Sequence, residues 1–173
     1  MRESEEGPAR GGERSSKKAP VASVAELVGA HFDSLRDFYA GASAADPDDL
    51  GARPRGTLLA LASTGDAHLV LRPLVKLVSQ RLMPWQGVVF DHGGNAGANL
   101  VMGREVQRFR ASVAASKLDG KPTLVLSYAA LGWPLRVLTD ELRSIGPGQA
   151  LGCTFAGERL VAWFGLERTA GQR

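Results

Sequence analysis

The feature that most constrains this chain is a succession of short apolar runs, each alternating with polar residues and bounded by Gly, Pro or Asp. In RFRASVA, Phe109, Ala111 and Val113 alternate with Arg108, Arg110 and Ser112. That is the period of a strand with one dry and one wet face. Further runs are TLLALA (57–62), AHLVLRP (67–73), GVVFD, ANLVMG, TLVLSYAAL, QALGCTF and RLVAWFGLE. STGD joins the first two as a hairpin, Asp119-Gly120 marks a turn, and AGE closes a terminal hairpin. Long crossover helices are missing, which argues against a doubly wound parallel sheet. The expected class is therefore mainly β (α+β): an antiparallel calycin-like barrel or a strongly curved sheet, with an N-terminal helix and two short helices. Closure would remove exposed edges and enclose an interior.

Helical spacing supports those additions. Ser23 and Glu26 form a capping box, and Val24, Leu27, Val28, His31, Leu35 and Phe38 recur on one stripe. The spacing predicts a helix over 23–40, with His31 packing at the stripe's edge. GASAADPDDLGARPRG then reads as a loop. Pro73 opens a second helix through Leu74, Leu77, Val78 and Leu82, stopped by Pro84. Pro134 opens a third, from 134 to 145, with Leu135, Leu138, Leu142 and Ile145 on one face and Gly146-Pro147 at its end. On that helix Asp140, Glu141 and Arg143 form an exposed polar face.

Residues 1–20 contain no aromatic or branched aliphatic side chain. Such a segment does not bury enough surface to offset its ordering entropy and is expected to be a disordered tail. Residues 21–173 are expected to form a single barrel-like domain.

Composition narrows the function classes. The net charge is only +3 and no Lys/Arg block stands out, so no nucleic-acid partner is expected. The single cysteine, Cys153, excludes an intramolecular disulfide and any multi-thiolate metal site, and reads as an inert core thiol. His31, His68 and His92 lie on separate elements without metal-ligand spacing, so no metal is expected. No cofactor motif is present, no apolar run spans a membrane, and no signal-type apolar segment begins the chain. A cytoplasmic location is the expectation, and oligomeric state stays open.

The segment MPWQGVVFD supplies Trp85, Gly87 and Phe90, and the chain continues through Pro134, Asp140, Leu142, Arg143, Leu151, Gly152, Trp163 and Phe164. In this order, residues 82–168 resemble the small calycin-like (lipocalin-like, GXWXG-type) barrel domains of unknown function. The sequence departs from that pattern in lacking a Gly before the Trp and in a longer Pro-to-Asp spacing. The resemblance implies a barrel and, with it, a small apolar ligand.

The most chemical-looking stretch is DHGGNAGANL (91–100). His-Gly-Gly is similar to esterase oxyanion loops, but neither Gly-x-Ser-x-Gly nor Gly-Lys-Ser/Thr occurs in the chain. The stretch precedes a strand rather than a helix, so it reads as a turn whose glycines permit positive φ. Candidate ligand-binding residues are Trp85, His92, Asn95, Asn99, Arg110, Tyr128 and Trp163. Trp163 shares a strand face with Val161 and Gly165, which suits a cavity wall. Phe164 shares one with Leu160, Ala162 and Leu166, which suits a helix-covered face. Tyr128 brings a hydroxyl that needs a partner when buried, and His92, Asn95 and Asn99 would ring the mouth. Arg104, Arg108 and Arg110 form a solvent-exposed row, or Arg110 meets a carboxylate or phosphate. Two functions remain open: binding of a small hydrophobic molecule, acidic ones included, or a cofactor-independent isomerase or cyclase. In the second, Tyr128, His92 or an Arg acts as acid, base or charge stabiliser. A third class, a protein-interaction module, would use the tail and the 23–40 helix.

Overall fold

The computed structural model describes residues 23–62 and 85–171. The tail at 1–20, the STGD turn, the strand at 67–73, the helix begun at Pro73 and His68 lie outside the described residues.

The strands are β1 (Ser43–Ala44), β2 (Arg55–Leu61), β3 (Trp85–Phe90), β4 (Ala96–Val101), β5 (Arg104–Ala115), β6 (Pro122–Ser127), β7 (Leu138–Gly146), β8 (Gln149–Ala156) and β9 (Arg159–Glu167). All pairings are antiparallel, and each strand from β2 to β9 pairs with the next in sequence. β9 then pairs with β2 over Arg55↔Glu167 to Leu61↔Ala162, which closes an eight-strand up-and-down barrel. β1 adds to β7 from outside the ring. Closure pairs each of the eight ring strands on both sides, the barrel form of the two arrangements the alternating runs left open. Of DHGGNAGANL, residues 91–95 form the expected turn between β3 and β4, with Gly93 and Gly94 at φ 96° and 72°, and 96–100 belong to β4. Met102 and Gly103, at φ 50° and 74°, make the two-residue β4–β5 connection, the handedness that matches strand twist.

Strand register sorts side chains onto two faces. Leu124, Leu126, Leu142, Ala150, Phe164 and Leu166 join Val88, Phe90, Phe109 and Ala111 in one cluster, the barrel interior. Small residues make room for its rings: a Cβ on Gly97 would stand 2.6 Å from Phe109 Cζ. Leu50 from α3 (Pro47–Leu50) and Ala45 join this cluster and close the end at which β2 begins. A second cluster lies outside the ring, where Leu151, Cys153, Phe155 and Trp163 of β8 and β9 are covered by Val24, Leu27, Leu35 and Tyr39. These last come from α1 (Val24–Leu27) and α2 (Phe32–Gly41).

Four sequence expectations are corrected. The helix over 23–40 is two helices, broken between Val28 and His31, with Gly29 at φ 82°. The Ser23–Glu26 capping box forms as expected, but His31 caps α2 at the surface rather than packing on a stripe. The helix from 134 to 145 is a 3-10 turn (Leu135–Val137) followed by strand β7. Leu138, Asp140 and Leu142 face inward while Thr139, Glu141 and Arg143 face the outer layer. Because both faces are covered, the dry/wet alternation that marks a strand is erased, and the leucine spacing imitates a helix. Finally, Asp140, Glu141 and Arg143 are not an exposed face. All three are buried.

Candidate functional site

The inward side of β7 starts with a carboxylate, and a line of hydrogen bonds runs from it across the barrel. Thr154 Oγ1 on β8 donates to Asp140 Oδ1 at 2.6 Å, and Tyr128 OH, just after β6, donates to Oδ2 at 2.7 Å. Asn99 Nδ2 on β4 donates to the Tyr128 oxygen at 2.9 Å, and Trp85 Nε1 at the start of β3 donates to Asn99 Oδ1 at 2.9 Å. Five residues from five strands or strand ends thus form one polar chain inside an otherwise apolar barrel. Strand alternation places them there: Trp85, Asn99 and Val101 share a face across β3 and β4, and Leu126 opposite Asp140 carries that face to β6 and β7. Asn99 alternates with Gly97 and Val101 on the inward face of β4, and opposite it β5 carries a register shift with Gln107 at φ 53°.

The chain lies toward the end of the barrel opposite α3. Here β2 ends, β3 begins, and the β4–β5, β6–β7 and β8–β9 connections turn. Inward-facing Leu58, Trp85 and Leu138 are only half-buried, unlike Leu142 and Leu166 deeper in the barrel. Asn99 and Asp140 each keep 8% exposure and Thr154 keeps 6%, so these residues lie just inside the rim rather than at the barrel's centre. Exposed Met102 and Trp133, on two separate connections, add apolar surface to this rim.

Burial governs the electrostatics. It pushes the Asp140 carboxyl up to about 6, against the lowering effect of the Thr154 and Tyr128 hydrogen bonds. Burial, reinforced by the Asp140 charge, raises the Tyr128 hydroxyl well above its ordinary value. Among the described residues, the buried charged groups are Asp140, Glu141 and Arg143, and the last two face the outer layer. Among the described residues, the groups that bond the Asp140 carboxyl, Thr154 and Tyr128, are neutral.

The outer polar cluster has a structural task. Glu141 accepts from Ser116 Oγ at 2.5 Å, Lys117 N at 2.8 Å and Tyr39 OH at 3.2 Å. Arg143 makes a two-pronged pair with Asp119 at 2.8 and 2.6 Å, donates to the Tyr39 and Lys121 carbonyls, and stacks 4.4 Å from the Tyr39 ring. Together they fasten α2 and the β5–β6 turn to the outside of β7. Cys153 lies buried beside this cluster, its thiol raised by burial, in keeping with the inert reading.

Of the residues singled out from sequence, Trp85, Asn99 and Tyr128 come together. His92 and Asn95 are exposed in the β3–β4 turn, at the opposite end from the polar chain. Arg110 lies on the outer face of β5, exposed with Arg104 and Arg108, as the wet-face reading expected. The faces of β9 are the reverse of the expectation. Trp163 packs edge-on against Phe32 and Tyr39 under α2, while Phe164 packs against Trp85 in the interior. Asp140 and Thr154 were not among the candidate ligand-binding residues, and with polar residues on both faces of β7 no alternation in the sequence marked Asp140 as inward-facing. A surface groove of about 310 Å³ at the α3 end includes Asp49, Gly148, Gln149 and Arg168. Its polar groups are engaged within the fold: Asp49 accepts from Gly148 N, and Gln149 Oε1 accepts from Val24 N, both at 2.8 Å.

No helix among the described residues is long and apolar enough to cross a membrane, and no cluster of metal-ligating side chains occurs among them. No protein-family model matches the chain, and no curated protein matches it. The fold is similar to a crystal structure described as a protein from Thermomonospora curvata, at 17% sequence identity with a TM-score of 0.59. The match covers 84% of this chain and 93% of that one, and what the two share is the closed antiparallel barrel.

Proposed function

We propose that this barrel binds a small, mainly apolar molecule carrying one polar end, taken up through the rim opposite α3. The observation that carries the reading is the buried Trp85–Asn99–Tyr128–Asp140–Thr154 chain, set among apolar walls toward one end of the barrel. Ligand sites are commonly apolar hollows with a few placed polar groups that fix orientation. The half-buried Trp85 and Leu138 would meet the ligand's apolar body. The polar chain would meet its head. The resemblance of residues 82–168 to calycin-like domains supports the same reading, as does the up-and-down order of the eight strands.

A second reading rests on one contact. The Tyr128–Asp140 hydrogen bond joins a phenol to a carboxyl pushed up to about 6, a suitable acid–base pair for proton transfer on a bound apolar substrate. One experiment separates the two. The protein is incubated with cell extract, re-isolated, and its retained small molecules are compared by mass spectrometry with those of Tyr128→Phe. Retention of an unchanged apolar compound, reduced in the variant, is the expected result. Conversion of a compound transfers the case to catalysis, and retention of nothing, or equal retention by the variant, defeats the binding reading.

A further inference from the structure

We infer that the polar end of the ligand is a basic amine, so that the barrel selects amphiphilic cations over alcohols and acids. This deepens the binding reading above and rests on it. Three features of the interior carry it.

The first is an imbalance of charge. Asp140 is the one buried carboxyl facing the barrel interior among the described residues, and the partners of its carboxyl among them, Thr154 and Tyr128, are neutral. Arg143 is three residues away on β7, so its side chain is on the opposite face, where it is committed to Asp119. Its other neighbours are neutral: Tyr128 on β6, Asn99 on β4 and Thr154 on β8. Glu141 and Cys153, on β7 and β8, lie on the outer face. An ionised carboxylate in such a place is costly unless a cation joins it.

The second feature is unused acceptor capacity. An ionised carboxylate has about four lone-pair positions. Asp140 uses two, one for Thr154 and one for Tyr128. The remaining positions match an ammonium, which donates only. A ligand carboxylate would instead face a like charge, and an alcohol would leave the charge uncompensated.

The third feature is preorganisation. Tyr128 already accepts from Asn99 and Asn99 from Trp85, so the Asp140 carboxyl is held in a fixed orientation before a ligand arrives. The interior is otherwise apolar, which strengthens a charge-assisted bond. The same conditions disfavour an acidic ligand, one of the options the sequence left open.

The test uses three probes of equal chain length, decylamine, decanol and decanoate, titrated into the protein near pH 7.5 by isothermal calorimetry. The expected order places decylamine at least about tenfold tighter than decanol, with decanoate weakest. The amine's advantage over decanol should disappear in Asp140→Asn. Should that variant fold poorly, the wild-type protein supplies an independent readout. Decylamine affinity should fall as pH drops through about 6, where Asp140 takes up its proton, and decanol affinity should stay level. Tighter binding of decanoate or decanol, or an amine advantage that survives Asp140→Asn, overturns the amine assignment and leaves the binding reading standing. Failure of all three probes to bind overturns both.

Discussion

Replacing Asp140 by Asn should change how stability depends on pH, and the size of the change follows from burial. In the folded protein the carboxyl is pushed up to about 6 from its usual 3.8. The folded state therefore holds this proton more tightly than the unfolded chain does. The unfolded state binds fewer protons between those values, so the stability from this group falls as pH rises. Its contribution is fully present below 3.8 and is lost by the time pH has passed through about 6. A shift of about two units corresponds to about 3 kcal/mol, at 1.36 kcal/mol per unit. Asp119 works with the opposite sign, because its bond to Arg143 holds its carboxyl below the usual range. That contribution is present above the usual value and lost as pH falls, and it cancels in a comparison with the variant, since Asp119 lies on the outer face. Urea unfolding of both proteins from about pH 4 to about pH 8 gives the difference in free energy directly. Wild type should lose about 3 kcal/mol relative to Asp140→Asn over that range. A flat difference would refute the reasoning, since it would mean that the carboxyl is solvated and not held inside the barrel.

Other perturbations test other parts of the structure. Gly97→Ala drives a Cβ into the Val89 carbonyl oxygen and to 2.6 Å from Phe109 Cζ, so thermal unfolding should show a loss of at least about 1–3 kcal/mol; unchanged stability contradicts the close approach of the β3 backbone and that ring to Gly97. Arg143→Met strips Asp119 of its two-pronged partner. It should cost about 3 kcal/mol in denaturant unfolding, with part recovered on adding Asp119→Asn, whereas additive losses would mean the pair is not coupled. Trp163→Ala empties the contact with Phe32 and Tyr39. The expected loss of stability is about 3–5 kcal/mol, with probe affinity unchanged within about twofold; a selective loss of affinity would return Trp163 to the ligand site.

The barrel was legible because most of its strands advertise themselves. β5 alternates Phe109, Ala111 and Val113 with exposed Arg108, Arg110 and Ser112, and β8 and β9 are joined by a short Gly-containing turn. β7 was hidden by its position. Its outward residues Glu141 and Arg143 are buried under α2 and the β5–β6 turn, and its inward Asp140 is buried in the barrel. Polar residues on both buried faces spoil the strand period, leaving only a leucine spacing that fits a helix. The same hidden layer reversed the faces of β9: local alternation separates Trp163 from Phe164, but which set points inward depends on α1 and α2 covering the outside. The candidate site was half legible. Tyr128 and Trp85 stood out as aromatic residues with polar groups to satisfy, and Asn99 was chosen with the turn that precedes it. His92 and Asn95 share that turn but point away at the far end, a separation that strand direction, not sequence proximity, decides.

The most direct measurement follows a single indole. The chain contains three tryptophans, Trp85, Trp133 and Trp163. Trp133 is exposed and Trp163 Nε1 has no hydrogen-bond partner, so Phe at both positions removes no hydrogen bond and leaves Trp85 as the sole reporter. In this double variant Trp85 donates to Asn99 at one end of the polar chain. Decylamine and decanol should each produce a saturable shift in its emission, with midpoints matching the calorimetric affinities. Binding that saturates by calorimetry while Trp85 emission stays unchanged would place the ligand elsewhere and contradict the account.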